Sequence, residues 1–155
     1  MRQAFIWFGH TPVGLYMRDS TNGFATVETV HLLGLALLGG VVLMLSLGAL
    51  NVSVAGGTPS ATARTLRPVF ALALTAMLAS GVLLVASKPL RYFLSAPFRW
   101  KIALLAAGVA LYAYLDRRLV RPGHGAVTRT DRQLAALLII LWFGVGLAGR
   151  LIGLL

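Results

Sequence analysis

Two side chains that can exchange protons lie close together near the start of the first long apolar segment of this chain. Glu28 and His31 are three residues apart, and they are the only titratable groups between Thr26 and Leu50. On a helix, residues at this spacing share one face. The imidazole could hold a metal or exchange a proton and a hydrogen bond with a quinone, and a charged imidazole would need the carboxylate. This pair is therefore the first candidate for chemistry.

Basic side chains are expected at the same end of the molecule. Arg99 and Lys101 lie near the start of the third apolar segment, which should run parallel to the first. Charges at membrane depth usually pair, because an isolated one costs about 2.5–3.5 kcal/mol even on the lenient insertion scale. The simplest interpretation is a structural ion pair of Glu28 with Lys101 or Arg99. The alternative is a site for a quinone, a haem propionate or an anion, with His31 as ligand or proton donor. Further basic residues converge there: Lys88, Arg91 and Arg150.

The histidines limit how a haem b could be held. Two axial histidines on facing helices are the usual arrangement in a membrane bundle, and His31 is the one histidine inside a predicted span. His10 precedes the first span on the same side, so a His10/His31 pair requires the N-terminal segment to fold back over the bundle. His31 alone could hold a five-coordinate haem or a chlorin. Thiolate ligation is excluded because the chain has no cysteine.

Motifs of soluble enzymes are absent from the sequence. There is no G-x-S-x-G, H-E-x-x-H, Walker or dinucleotide fingerprint, and Ser80 is expected simply to pack in a helix interface. We expect no catalysis of its own: the chain is predicted to be an accessory or structural subunit of a larger membrane assembly. The alternative is a membrane redox protein that binds haem b or quinone near His31.

The elements that position these residues follow from composition. The 155 residues are 58% hydrophobic and 12% charged, with a mean hydropathy of +0.84, whereas soluble domains have about 45–50% apolar and 25% charged residues. One membrane span takes about 20 residues. The sequence predicts an all-α fold, an integral membrane four-helix bundle forming a single transmembrane domain over residues 1–155. The spans are predicted near residues 26–50, 66–87, 95–115 and 133–155.

Two of these boundaries rest on proline and charge. The second span is predicted to begin near Leu66 with Pro68 in its first turn, where a missing N–H costs little. The third must begin near Ser95, because only 14 uncharged residues run from Ile102 to Leu115. Upstream of the first span, aromatic side chains alternate with polar ones, which predicts a short interfacial N-terminal segment. Its aromatic residues are Phe5, Trp7, Phe8 and Tyr16.

The net charge of +10 indicates anionic lipid headgroups rather than nucleic acid as the partner, because the basic residues flank apolar spans. Once Arg99, Lys101 and Arg150 are discounted because they lie inside spans, fewer basic residues remain on the side of the termini (Arg2, Arg18, Lys88, Arg91) than on the other (Arg64, Arg67, Arg117, Arg118, Arg121, Arg129, Arg132). The positive-inside rule then predicts a multi-pass membrane protein with both termini on the non-cytoplasmic side. Glycine and alanine faces on the spans predict self-association or packing against other membrane subunits.

Two stretches resemble a family of small bacterial four-helix membrane proteins of unknown function. They are GFATVETVHLLGLALLGGVVLMLSLGAL, with its E-x-x-H, and SGVLLVASKPLRYFLSAPFRWKIALL, with its S-G, aromatic-Y and F-R-x-K elements. The family's acidic D-L-R-L-L-G element is replaced here by MLSLGAL, without either charge. Looser similarities are to copper-resistance membrane proteins and to b-type cytochrome bundles, and neither resemblance supplies an established activity. The resemblance to a bacterial family implies a location in the bacterial inner (cytoplasmic) membrane.

Overall fold

Four long helices dominate the computed structural model, which describes residues 9–52, 58–121 and 126–154. In chain order the helices in these residues are α1 (Pro12–Asp19), α2 (Thr21–Ala49), α3 (Pro59–Ser87), α4 (Pro89–Leu94), α5 (Ala96–Val120) and α6 (Arg129–Leu154). By length and composition, α2, α3, α5 and α6 could each cross a membrane. The fold is an all-α bundle, as the sequence predicts.

The long helices form a ring in which neighbours are consecutive around the bundle. Helix α2 packs extensively on α3 and also on α6, while α5 packs on α6 and more sparsely on α3. Helices α2 and α5 therefore lie diagonally opposite each other. The centre is filled by fully buried apolar side chains, among them Leu38, Leu45, Met77, Leu115 and Leu138. Any group that joins α2 to α5 must reach across the bundle axis.

Helix α3 begins seven residues earlier than the sequence predicts. The Thr58 hydroxyl caps the helix by accepting from the Ala61 N–H at 3.3 Å, and Pro59 occupies the first turn. The prediction that Pro68 lies in the first turn is wrong, because Pro68 lies inside the helix. This position is exposed. A threonine cap followed by proline is the stronger start signal.

The other predicted spans are also longer in the structure. Helix α2 begins at Thr21 and α6 at Arg129, while α5 continues to Val120 rather than ending at Leu115. The predicted end of the last span, residue 155, lies outside the described residues. The extension of α5 moves Asp116 and Arg118 from a predicted loop into a helix. The basic connector before α5 contains the short helix α4.

Two ion pairs fasten the end of the bundle at which α3 begins and α5 ends. Arg67 Nε donates to Asp116 Oδ2 at 2.8 Å, which joins α3 to α5, and Arg118 Nε donates to Asp131 Oδ1 at 2.9 Å, which joins α5 to α6. Asp131 also accepts from the Thr128 N–H at 2.9 Å. Both acids are buried. At this end, each acid is matched by an arginine from a neighbouring helix.

The chain before α2 forms a separate short helix. Helix α1 packs on α3 and on α2, and Met17 is buried. Tyr16 lies so close to α2 that a Cβ at Gly23 would come within 2.8 Å of its ring. Phe5, Trp7 and Phe8 lie outside the described residues. The interfacial position of this segment stays a prediction.

Candidate functional site

His31 is the centre of a hydrogen-bond network between three helices. Its Nδ1 lies 3.0 Å from the Met77 carbonyl oxygen and 3.0 Å from Ser80 Oγ on α3. A carbonyl can only accept, so Nδ1 carries the proton. In this neutral tautomer Nε2 is an acceptor, and Lys101 Nζ from α5 lies 3.3 Å from it. The lysine therefore donates to His31 across the diagonal of the bundle.

The neighbours on α3 hold the imidazole in this orientation. The Ser80 hydroxyl donates to the Ala76 carbonyl at 2.6 Å, which leaves its oxygen as a further acceptor for the His31 Nδ1–H. Gly81 provides the space beside the ring, since a Cβ there would lie 3.2 Å from His31 Cε1. A fixed hydrogen bond on one ring nitrogen directs the other toward its partner. The site is thus preorganised by α3.

The network lies in a cavity of about 960 Å³. Its walls are mainly apolar and come from all four long helices and α4; they include Phe24, Leu35, Met77, Val85, Phe98 and Leu105. Its polar lining consists of Glu28, His31, Arg91, Tyr92, Lys101 and Arg150. A mainly apolar cavity with a few convergent polar groups is the usual form of a small-molecule site.

Several apolar residues of α3 and α5 that line the cavity are also exposed at the surface of the bundle. Leu78, Val82 and Ile102 line the cavity, yet their exposed fractions are 48%, 55% and 48%. These two helices are the loosely packed neighbours of the ring. In a membrane, apolar side chains exposed here would face lipid. A lipid-soluble molecule could therefore enter the cavity without crossing water.

Tyr92 on α4 lies beside the polar end of the cavity. Its ring contacts Phe98 with the centroids 5.4 Å apart. Burial raises the pKa of the Tyr92 hydroxyl; the nearby Arg91 opposes this shift and Glu28 adds to it. The hydroxyl therefore remains protonated at neutral pH and available as a neutral hydrogen-bond donor.

The expected ion pair of Glu28 with Lys101 or Arg99 is not formed. Glu28 is exposed, and among the described residues no ion pair within 4.0 Å involves any of these three side chains. The lysine donates to His31 instead, one turn deeper along α2. The shared face of Glu28 and His31 is confirmed, since both line the cavity. Arg99 is exposed and lies outside the lining.

The geometry also bears on the predicted haem ligands. His10 is exposed and does not line the cavity, so a His10/His31 pair has no support in this arrangement. Both ring nitrogens of His31 have hydrogen-bond partners, and Lys101 Nζ lies 3.3 Å from Nε2, the nitrogen that an iron would need. Within the described chain, no three His, Asp or Glu side chains cluster as a metal site would require. These donors suit an organic ligand better than iron.

Ser80 and Tyr92 are the site residues that residue-by-residue reasoning missed. Ser80 was expected to do no more than pack in an interface, and the one signal for it is the S-G element that Ser80 forms with Gly81. Tyr92 lies in the connector that becomes α4. Their roles depend on the position of α3 and α4 against α2, which no spacing within one helix shows.

Comparisons with known proteins give a family and no function. A family model described as Family of unknown function (DUF6644) matches residues 4–155. No curated protein and no solved structure matches the chain.

Proposed function

We propose that this chain, which belongs to the family of unknown function DUF6644, binds an amphipathic small molecule within the membrane and serves there as an accessory subunit without catalysis of its own. The observation that carries the proposal is the Lys101–His31 contact inside a mainly apolar cavity whose lining includes exposed apolar side chains.

Lys101 provides the hydrogen-bond donors of the proposed binding site. An ammonium group has three N–H donors, and in the described part of the chain Lys101 has one hydrogen-bond partner, His31. Donors without partners are costly in a water-poor environment. A ligand headgroup with acceptor oxygens would supply the missing partners. The Tyr92 hydroxyl, also in the lining, could supply one more donor.

The apolar walls of the cavity provide the space for the hydrocarbon part of the ligand. A volume of about 960 Å³ is at the upper end of the range of roughly 300–1,000 Å³ for ligand sites. It accommodates a headgroup with part of a hydrocarbon tail, and the rest of the tail could lie in the bilayer beside the exposed lining residues of α3 and α5. Amphipathic molecules of this kind are constituents of the membrane itself.

A quinone-binding redox protein is the second candidate function. A quinone carbonyl could accept from Lys101, whose position the fixed tautomer of His31 helps to define. Haem b is less favoured than quinone, because the ammonium faces the ring nitrogen that iron would need. For this second candidate function, the described residues need only bind the quinone.

Assembly and orientation belong to the same proposal. Several glycines are already used inside the bundle: a Cβ at Gly34, Gly39 or Gly144 would meet Met77, Trp142 or Leu104. We propose that other membrane subunits, or a second copy, pack on the remaining small-residue positions.

The distribution of arginines supports both termini on the non-cytoplasmic side of a bacterial inner membrane.

The test is whether a lipophilic molecule stays with the protein after purification. In mild detergent the wild type should retain one such species, identified by mass spectrometry of an organic extract. Lys101→Met should lower its amount about tenfold or more, because hydrogen bonds to a charged group contribute roughly 1.5–3 kcal/mol. Removing an isolated charge from an apolar site should leave the bundle folded.

The matched control is Arg99→Gln, which alters an exposed cation two residues away and outside the cavity. It should retain the ligand at the wild-type level, with the same helical circular dichroism as Lys101→Met. Wild-type protein that carries no lipophilic molecule, or equal retention by Lys101→Met, would contradict the proposal.

A further inference from the structure

The charges around the cavity do not balance. Three cationic side chains line it, Arg91, Lys101 and Arg150, against one acid, Glu28. In the described chain none of the four takes part in an ion pair within 4.0 Å. His31 cannot compensate, because its neutral ring already accepts from Lys101 and donates to Met77. The cavity therefore carries an excess of positive charge beside apolar walls.

We infer that the headgroup held in this cavity is anionic, a phosphate or carboxylate on an acyl chain. The inference rests on the proposed function and adds the charge of the ligand. A neutral quinone would accept hydrogen bonds from Lys101 but would leave the positive charge uncompensated in a poorly solvated place. An anion supplies both the acceptors and the countercharge.

The three cations come from different helices and meet at one end of the bundle. Lys101 lies five residues into α5, Arg150 lies four residues before the end of α6, and Arg91 lies on α4. One turn of helix rises about 5.4 Å, so Lys101 and Arg150 lie at similar depths of about one turn from these helix ends. They approach the cavity from different sides. A headgroup between them would meet one ammonium group and two guanidinium groups.

The chemistry of these groups fits a compact oxyanion. Guanidinium groups bind phosphate and carboxylate through two parallel N–H donors, and an ammonium binds them as a point charge. Arg91 and Arg150 are exposed, so each can turn toward a headgroup or toward water. Lys101 is less exposed and is fixed by His31. The lysine then defines the position of the headgroup, while the arginines add affinity for charge.

The experiment compares three ligands that share oleoyl chains and differ in headgroup charge, with a neutral quinone as the fourth. The full chain, delipidated in nonionic detergent, is titrated with radiolabelled dioleoyl phosphatidic acid, oleate, dioleoylglycerol and decylubiquinone. Phosphatidic acid or oleate should bind about tenfold or more tightly than dioleoylglycerol, and the difference should shrink as salt is raised. The stronger of the two anionic probes identifies the source as a phospholipid or a free fatty acid.

The variants test how much the charged side chains contribute to affinity, separately from the apolar cavity. Arg91→Gln and Arg150→Gln should each weaken the anionic probe about threefold, as expected for exposed ionic contacts, and should weaken the neutral probes less. Glu28→Gln should strengthen the anionic probe, and Arg99→Gln should change nothing.

Two results would overturn the inference, and they differ in whether the proposed binding function is retained. Decylubiquinone binding as tightly as the anions, with no effect of Arg91→Gln or Arg150→Gln, would refute an anionic headgroup but retain the proposed binding function. No saturable binding of any probe would refute both.

Discussion

Replacing Asp131 with alanine is expected to destabilise the protein by about 2 kcal/mol, within the range for losing hydrogen bonds to a charged group. The Asp131 side chain is 0% exposed, and its carboxylate accepts from Arg118 Nε at 2.9 Å. It also accepts from the Thr128 N–H at 2.9 Å and the Thr128 hydroxyl at 2.7 Å. Alanine would leave the guanidinium and the start of α6 without these acceptors.

The measurement is the free energy of unfolding in mixed micelles, with melting temperature as a second readout. Asp131→Asn should give an intermediate loss, because it keeps an acceptor for Thr128 but removes the charge opposite Arg118. The control is Asp19→Ala: Asp19 pairs with Arg18 at 3.4 Å, and these side chains are 71% and 49% exposed. Such a pair contributes about 0–1 kcal/mol. Equal losses in Asp131→Ala and Asp19→Ala would show that burial of the pair has no influence.

The contrast between the two ends of the bundle supports a binding role for one of them. At the end fastened by Asp116 and Asp131, each acid has an arginine partner from another helix. At the other end, Lys101 contacts a neutral imidazole, and within the described residues no carboxylate lies within 4.0 Å of it. A chain that only had to be stable could have placed an acid there. The unmatched cation beside a cavity is better explained by a ligand that provides the charge.

The architecture could be predicted from the sequence because it depends on local composition. Long uncharged segments of about 20 residues have one stable form in a bilayer, a helix. The common face of Glu28 and His31 likewise follows from helical periodicity. The convergence of α2 and α5 charges on one end follows from the number of spans. These features require no knowledge of which helix faces which.

The partners within the site could not be predicted, because they depend on how far each side chain reaches across the bundle. Arg99 and Lys101 both lie near the start of α5, so the sequence makes them equivalent partners for Glu28. They are two residues apart, however, and point to different sides of the helix. Lys101 meets His31 rather than Glu28 since the imidazole lies one turn deeper. The pairing of Arg118 with Asp131 could not be predicted either, because the sequence indicates a loop after Leu115 where α5 in fact continues to Val120.

Gly34→Leu is expected to separate α2 from α3 and disturb the candidate site with them. A Cβ at Gly34 would already lie 3.3 Å from the Met77 backbone nitrogen and 3.4 Å from the Ala73 carbonyl oxygen. These are backbone atoms of α3, so the helix itself must move to admit a leucine. Overpacking of this kind costs about 1–3 kcal/mol. Small residues at such crossings are what lets membrane helices approach closely.

The same displacement should reach His31, because the carbonyl that holds its Nδ1 belongs to Met77. We therefore expect Gly34→Leu to lose both stability and retained ligand, measured by unfolding in mixed micelles and by mass spectrometry of the organic extract. Gly40→Leu is the control on the same helix, since Gly40 is exposed and a Cβ there meets nothing within 4 Å. It should leave both quantities near the wild-type level. If Gly34→Leu were as stable as Gly40→Leu, the close crossing of α2 and α3 would have to be abandoned, and with it the position assigned to His31.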